Sequence, residues 1–323
     1  MPVISLNQIS KVAFISDVHL DSNNPPSRID DILDTVIKKM NFILKECVSR
    51  NVQAVFFCGD LVNRVTLPYK PINDFMEVLR GFKDANILLY SICGNHDIIY
   101  NSMDYLNRSP LQTLFASGLI THINLESPVV INKSVLITPV DYTEIPVKAN
   151  EAATYNILLY HGFINASEYM VDPKHNLDDN AIKALGYDLI MAGHDHQEYP
   201  NLKVGKTLVI RNGSLLRGTS HDYNFKRKPN FIVLNDLSNI CEDTIEKVVV
   251  EHKPYTEIAS NYVVNKENMG SISGLKDMLS NLADKLTMSS EVDEDRILNI
   301  IKSDEQLPNE ARLKLLNYIT EMS

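Results

Sequence analysis

Basic residues are outnumbered in this chain: 31 Lys and Arg stand against 41 Asp and Glu, for a formal net charge of -10. A protein that coats nucleic acid by charge alone needs clustered Lys and Arg, so that class is excluded and any nucleic-acid contact must be local. Cysteine is also scarce. Cys47, Cys58, Cys93 and Cys241 show no paired metal-type spacing, and Cys58 and Cys93 fall inside apolar runs. Buried free thiols in a reducing cytosol are the expectation. No segment approaches the roughly eighteen apolar residues of a membrane span, and the N-terminus lacks a basic stretch leading into an apolar run and a small-residue cleavage site. A soluble cytoplasmic protein without a membrane partner is expected. Internal repeats and low-complexity tracts are lacking too. Gly205, Lys206 and Thr207 resemble the end of a phosphate-binding loop, but Pro200 stands where the first glycine is required and a strand-like run follows. ATP binding by this chain is thereby excluded.

What is present is enough apolar material for a large core. With 323 residues, 44% of them hydrophobic, the chain can form one big domain and something smaller. Strand-like runs alternate with helical patterns at first: residues 29–50 carry Ile32, Leu33, Val36, Ile37, Met40, Ile43 and Leu44 at helical spacing, and 72–82 and 103–116 give weaker helices. After Leu119 strands dominate, at 134–138, 156–160, 187–192, 207–211, 231–235 and 247–251. This order predicts an α/β (α+β) fold with two facing mixed sheets and helices outside. The character changes near Pro254, so domains are expected at 1–254 and 255–323. The second would be a small helical region, with stripes at Leu275, Met278, Leu279, Leu282 and Leu286, at Ile297, Leu298 and Ile301, and at Leu313, Leu316 and Ile319. It either packs on the first domain or docks a partner.

Five apolar runs stop on residues that bind metals. Residues 12–16 lead to Asp17 and His19; 54–58 to Gly59 and Asp60; 87–93 to Gly94, Asn95, His96 and Asp97; 157–160 to His161; and 189–192 to Gly193, His194, Asp195 and His196. A lone aspartate after a strand is usually a turn residue, and a lone histidine is more often surface or core than ligand. Five such endings in one chain reverse that judgement. Two divalent ions about 3.5 to 4 Å apart need a shared anionic bridge, which a carboxylate such as Asp60 can supply. Imidazole and carboxylate donors without thiolate suit manganese, iron or zinc and argue against a structural zinc site.

Together these motifs resemble the calcineurin-like metallophosphoesterase superfamily over roughly the first 250 residues. The resemblance implies that fold, and two divalent ions per chain, manganese first with magnesium, iron or zinc as alternatives. It implies that Asp17, His19, Asp60 and His196 hold one ion and Asp60, Asn95, His161 and His194 the other. His96 would stay free of metal and serve the scissile phosphate as the catalytic histidine. One departure stands out: the phosphatase branches carry an aspartate three places after the bridging one, where this chain has Asn63. An amide oxygen there could fix the tautomer of His96 without stabilising its imidazolium. Arg64 is a candidate phosphate contact, and Asp97 is expected to support the loop.

The segment Asn212, Gly213, Ser214, Leu215, Leu216 and Arg217, followed by Lys226, Arg227 and Lys228, is similar to SbcD-like recombination and repair nucleases, in a compact form of the kind phages encode. That resemblance implies DNA exonuclease and endonuclease activity, a separate SbcC-like ABC ATPase, and a location in the cytoplasm, the host's for a phage protein. It also implies a homodimer through Ile98, Ile99, Tyr100, Met103, Tyr105 and Leu106. Arg217, Lys226, Arg227 and Lys228 become candidate DNA contacts. The alternatives are a stand-alone phosphodiesterase or phosphatase acting on a small molecule or phosphoprotein, and a non-catalytic scaffold. Retention of every expected ligand and of His96 speaks against the scaffold.

Overall fold

The computed structural model describes residues 3–166 and 173–260. It divides the chain into units 1–258 and 259–323, so the helical stripes expected beyond residue 260 lie outside the described residues. The chain opens with β1 (Ile4–Leu6) and β2 (Val12–Ile15), then alternates α1 (Ile32–Arg50), β3 (Ala54–Phe57), α2 (Tyr69–Asp84), β4 (Leu88–Ser91), α3 (Pro110–Ala116) and β5 (Thr121–His122). Next come β6 (Val129–Ile131), β7 (Val135–Val140), β8 (Tyr155–His161), β9 (Phe163–Ile164), β10 (Asn176–Leu177), α4 (Asp179–Leu185) and β11 (Leu189–Gly193). The last elements are β12 (Leu202–Val204), β13 (Thr207–Ile210), α5 (Tyr223–Lys226), β14 (Asn230–Leu234), β15 (Ile245–Val249) and α6 (Tyr255–Ile258).

Two mixed sheets result. One has seven strands in the order β1-β6-β7-β8-β11-β13-β12, the other six in the order β15-β14-β2-β3-β4-β5. Their inner faces meet in a shared core: Val12, Phe14, Ala54 and Phe56 from the six-stranded sheet pack in one cluster with Ile157, Leu159, Leu189 and Met191 from the other. The alternate residues point outward. Ala13, Ile15, Val55 and Phe57 pack beneath α1 and α2, whereas Leu158, Tyr160, Ile190 and Ala192 pack with Ile182 of α4. Strands covered on both faces read as unbroken apolar runs, which is why β2, β3, β8 and β11 stand out so clearly in the sequence.

α1 forms as its spacing predicts. Asp31 caps its start, accepting from the Asp34 amide at 3.0 Å, and Asn51 ends it in the left-handed region at φ 57°. Its buried face carries Ile32, Val36, Met40, Ile43 and Cys47, with the anomalous addition of Lys39. The helix expected over 103–116 is instead two pieces, a 3-10 turn at Met103–Arg108 and α3, because Ser109 caps a new start before Pro110. Ile98 is buried, and Met103 and Leu106 pack against the core, so these three of the residues expected at a dimer contact are engaged within the chain. α6 packs within the first unit: Tyr255 is buried and its hydroxyl donates to the Thr219 carbonyl at 2.6 Å.

β2, β3 and β4 run parallel, as do β8 and β11, so their C-terminal ends lie at common edges of the two sheets. Every candidate ligand follows or closes one of these ends. Open α/β sheets place their chemistry there because the strand ends leave polar groups that the sheet does not consume.

Candidate metal centre

Local backbone geometry explains the residue types. Asp17, His19 and Asp60 take left-handed conformations at φ 51°, 50° and 51°, and His194 at 89°. Such strain at non-glycine residues is retained where surrounding structure fixes it, commonly at functional sites. Here it is fixed by cross-links between strand ends: the His19 amide donates to the Asp60 carbonyl at 3.0 Å and the His194 amide to Asp17 Oδ1 at 3.0 Å. Two glycines are required for space. A Cβ on Gly59 would lie 2.4 Å from His161 Nδ1, and one on Gly94 would lie 2.2 Å from Asp60 Oδ1.

The side chains converge on two sets of donors that share Asp60. Asp17, His19, Asp60 and His196 form one, and Asp60, His161 and His194 the other, each with its ligand atoms within 4.8 Å of one another. Asn95 joins the second set, its Oδ1 lying 3.2 Å from His161 Nε2 and 2.9 Å from His194 Nδ1. His19 Nε2 and His196 Nε2 face each other at 2.8 Å. The structure thus brings together all seven residues named as candidate ligands.

These donors fit a pair of cations. Asp60 Oδ1 accepts from the His96 amide at 2.9 Å, but Oδ2 is buried without a hydrogen-bond partner among the described residues. It lies between the two sets, 3.3 Å from His161 Nε2 and 3.8 Å from His19 Nε2. A buried orphan carboxylate oxygen is costly unless a cation satisfies it. His161 Nδ1 donates to the Cys58 carbonyl at 2.7 Å, which turns Nε2 inward as a ligand should be turned.

Electrostatics agree. Burial holds His19 and His194 well below the usual histidine range, with like-charge repulsion from nearby imidazoles adding to it, and brings His196 down to about 4. Neutral imidazoles are the ligating form. Burial also lowers His161, but the Asp60 carboxylate overrides this and raises it to about 9. Burial raises Asp60 as well, yet His161, His96 and His19 carry it well below the usual carboxylate range. Burial leaves Asp17 well above that range, against the pull of His161, and the charge of Asp60 reinforces the rise. Two buried carboxylates this close resist ionising together unless positive charge sits between them.

His96 faces the cluster with its ring 5.0 Å from that of His19. Its Nδ1 donates to the main-chain carbonyl of Asn63 at 3.0 Å, so the side-chain amide expected to fix the tautomer does not do so. That amide instead donates from Nδ2 to Asp21 Oδ2 at 2.6 Å. Asp21, absent from the candidate residues, is buried, and besides Asn63 it accepts from Arg64 Nε at 2.7 Å and from the Ser22 and Asn23 amides. Its signal was its place two residues after His19 in the same turn. Arg64 keeps a side chain 49% exposed, open to a ligand. Asp97 is buried and accepts from the Val62 and Gly94 amides at 2.9 and 2.8 Å, and burial together with Asp60 raises its pKa to about 7. Tyr142 and Phe163 were also not anticipated; their rings lie 5.6 and 4.3 Å from that of His194.

The basic segment is corrected. Lys226 and Lys228 are exposed, but Arg217 and Arg227 are buried at 2% and 6% and cannot reach a DNA backbone. Arg227 and two other buried cations serve a strap of four consecutive carbonyls, residues 214–217. Arg227 donates to the Ser214 and Leu216 carbonyls, Lys39 to that of Leu215, and Arg28 to that of Arg217. Arg217 itself donates to the Lys253 carbonyl. The strap's amides reach the metal cluster: Ser214 N–H donates to the His196 carbonyl at 3.2 Å and Leu215 N–H to the Asp17 carbonyl at 3.1 Å. Buried cations therefore hold the backbone of two candidate ligands in place.

Residues 10–198 match the calcineurin-like phosphoesterase family, more than half of the chain. The chain belongs to that family, and with it to the metal-dependent phosphoester hydrolases. It is 25% identical over 244 residues to the DNA double-strand break repair protein Mre11 of Methanococcus maripaludis, covering 69% of this chain and 62% of that protein. A shorter match, 28% over 87 residues, links it to Mre11 of Aeropyrum pernix, covering 27% of this chain and 21% of that protein. The chain thus spans less than two thirds of either relative. Among solved structures, a dimetal phosphatase from Danio rerio aligns with a TM-score of 0.48 at 10% identity, covering 75% of this chain and 99% of that one.

Proposed function

We propose that this chain hydrolyses DNA phosphodiester bonds as the nuclease subunit of an SbcCD-like recombination and repair complex. The observation that carries the reading is the setting of His96, held beside the Asp60 cluster by the neutral Asn63 carbonyl. A carbonyl orients the ring without stabilising a standing imidazolium as a carboxylate would. That suits a diester, whose single negative charge asks less of a permanent cation than a monoester dianion does. The names of the relatives from Methanococcus and Aeropyrum as DNA double-strand break repair proteins support DNA as the diester.

In this reading Asp17, His19, Asp60 and His196 hold one divalent ion, and Asp60, Asn95, His161 and His194 the other, with manganese the native metal. When bound, such a pair lowers the pKa of water and neutralises charge building on phosphoryl oxygens. The chain's own residues do the rest. Nδ1 of His96 keeps its proton on the Asn63 carbonyl, so Nε2 carries the exchange: it takes a proton from solvent, forming a transient imidazolium, and passes it to the leaving oxygen, which returns the ring to neutral. Arg64, braced by Asp21, contacts the phosphate, and Asp97 holds the loop between Gly94 and Val62. Exposed Lys226 and Lys228 supply local DNA contacts. The ATPase is a separate SbcC-like chain docked by residues beyond 260, and two copies pair through the exposed Tyr100 side. Light scattering at micromolar concentration tests that pairing: a dimer mass is expected, and a monomer unchanged by DNA contradicts it.

A second reading, a stand-alone phosphodiesterase or phosphatase for a small molecule or phosphoprotein, is favoured by the net charge of -10 and the burial of Arg217 and Arg227, which leave little positive surface. One experiment separates the two: manganese-supported cleavage of linear duplex and single-stranded DNA, beside a p-nitrophenyl diester and monoester. Cleavage of DNA and the diester is expected, reduced by about 10² to 10⁴ in His96→Ala with metal content unchanged. Turnover of the monoester with DNA left intact would establish the second reading.

A further inference from the structure

A second cluster lies directly behind the loop that carries Asn95 and His96, and it draws on both sheets. Cys93 follows β4, His122 closes β5 in the same six-stranded sheet, and Asp141 follows β7 in the seven-stranded one. Their ligand atoms lie within 4.8 Å of one another. His122 Nε2 is 3.6 Å from Cys93 Sγ and 2.9 and 3.2 Å from the Asp141 oxygens. With ordinary zinc bond lengths, a tetrahedral ion separates its sulfur and nitrogen ligands by about 3.6 Å and its nitrogen and oxygen ligands by about 3.3 Å. The side chains are therefore already near the spacing of a bound ion.

The surroundings are built as well. Phe115 stacks on the His122 ring at 5.0 Å. Asp141 Oδ1 accepts from the Cys93 amide at 2.6 Å, and the Asp141 amide donates to Glu144 Oε2 at 2.8 Å. Such outer contacts fix the orientation of metal ligands. Cys93 and Asp141 are buried, whereas the His122 side chain is 22% exposed and gives the ion an entry path.

We propose that Cys93, His122 and Asp141 bind one thiophilic divalent cation of the zinc class, a third metal site that staples the two sheets behind the Asn95–His96 loop. On binding, the Cys93 S–H proton leaves to solvent and a metal–sulfur bond replaces it. His122 contributes the Nε2 lone pair, Asp141 one oxygen, and water from the His122 side the fourth position. No electron is transferred.

Cobalt(II) titration of the full chain under reducing conditions tests this. The Asp60 cluster contains no sulfur, so a thiolate-to-cobalt charge-transfer band in the near ultraviolet reports on the Cys93 trio. The band is expected to be complete by three cobalt per chain, two of them taken by the Asp60 cluster, to persist in Asp60→Ala and Cys58→Ser, to bleach when zinc is added, and to vanish in Cys93→Ser. His122→Asn, which leaves the thiol in place, should weaken the band's affinity at least tenfold, with folding of both variants checked by circular dichroism. Absence of the band at saturating cobalt, or its survival in Cys93→Ser, would overturn the proposal and leave the trio as a hydrogen-bonded network alone.

Discussion

At His96 the partner that matters is a main-chain oxygen, and this separates two substitutions that otherwise look alike. Asn63→Ala keeps the carbonyl that holds Nδ1 and removes only the amide's bond to Asp21. Its turnover should fall by less than about tenfold, whereas His96→Ala should lose about 10² to 10⁴. Equal losses in steady-state assays would return the role to the Asn63 side chain. The histidines also set a pH signature for metal-free protein. His196 is depressed to about 4, with His19 and His194 lowered too, so the folded state binds fewer protons than the unfolded state below 6.5. Their contribution to stability is present above 6.5 and is lost as pH falls toward 4. His161, raised to about 9, acts oppositely: its contribution is present below 6.5 and is lost as pH rises through 9. Urea unfolding in chelator should therefore show a maximum between these limits, and a stability still rising at pH 10 would contradict the assignment. The convergence of the candidate ligands was legible in the sequence because a metal-binding residue type closes one apolar run after another, a pattern that ordinary turns do not repeat. Asp21 was not, because an aspartate in a turn is ordinary until its four donors are seen.

At the scale of elements, the strap over residues 214–217 shows where sequence reading fails. Lys and Arg are so rarely buried that Arg217, Lys226, Arg227 and Lys228 read as one exposed patch. Space decides otherwise: Lys39 protrudes from the buried face of α1, and with Arg28 and Arg227 it saturates carbonyls that no sheet or helix satisfies. Burial lowers Arg227 only to about 10, so it stays charged at neutral pH. Arg227→Met should lose on the order of 3 kcal/mol in urea unfolding, since it strands the buried Ser214 carbonyl and removes a charged donor from that of Leu216. Lys226→Met, on the exposed neighbour, should change stability by less than about 0.5 kcal/mol. Equal effects would show that the strap does not depend on its cations. The break at Ser109 and Pro110 was a readable signal that the apolar spacing of 103–116 overrode.

Across the whole molecule, the two facing mixed sheets were legible because strands buried on both faces announce themselves as apolar runs. Short strands such as β1, β5 and β12 were not, since two or three residues carry no period. Phe56, stacked between Phe14 and Tyr90 at ring distances of 5.7 and 5.2 Å, occupies the core between the sheets. Phe56→Ala should cost about 3–5 kcal/mol by denaturant unfolding. Partner docking is best tested by ending the chain after Ser260 rather than at 254, because Tyr255 and Ile258 are buried within the first unit. That truncation should keep diesterase activity and lose ATP-stimulated DNA processing; full co-purification with the ATPase would place docking elsewhere. The central claim is that Asp60, shared by the two donor sets, would serve both ions of one site. Metal analysis of manganese-loaded wild type and Asp60→Ala, after removal of free metal, tests it most directly. Two manganese ions per chain in the wild type and fewer than one in the variant are predicted, and two ions retained without the Asp60 carboxylate would contradict the account.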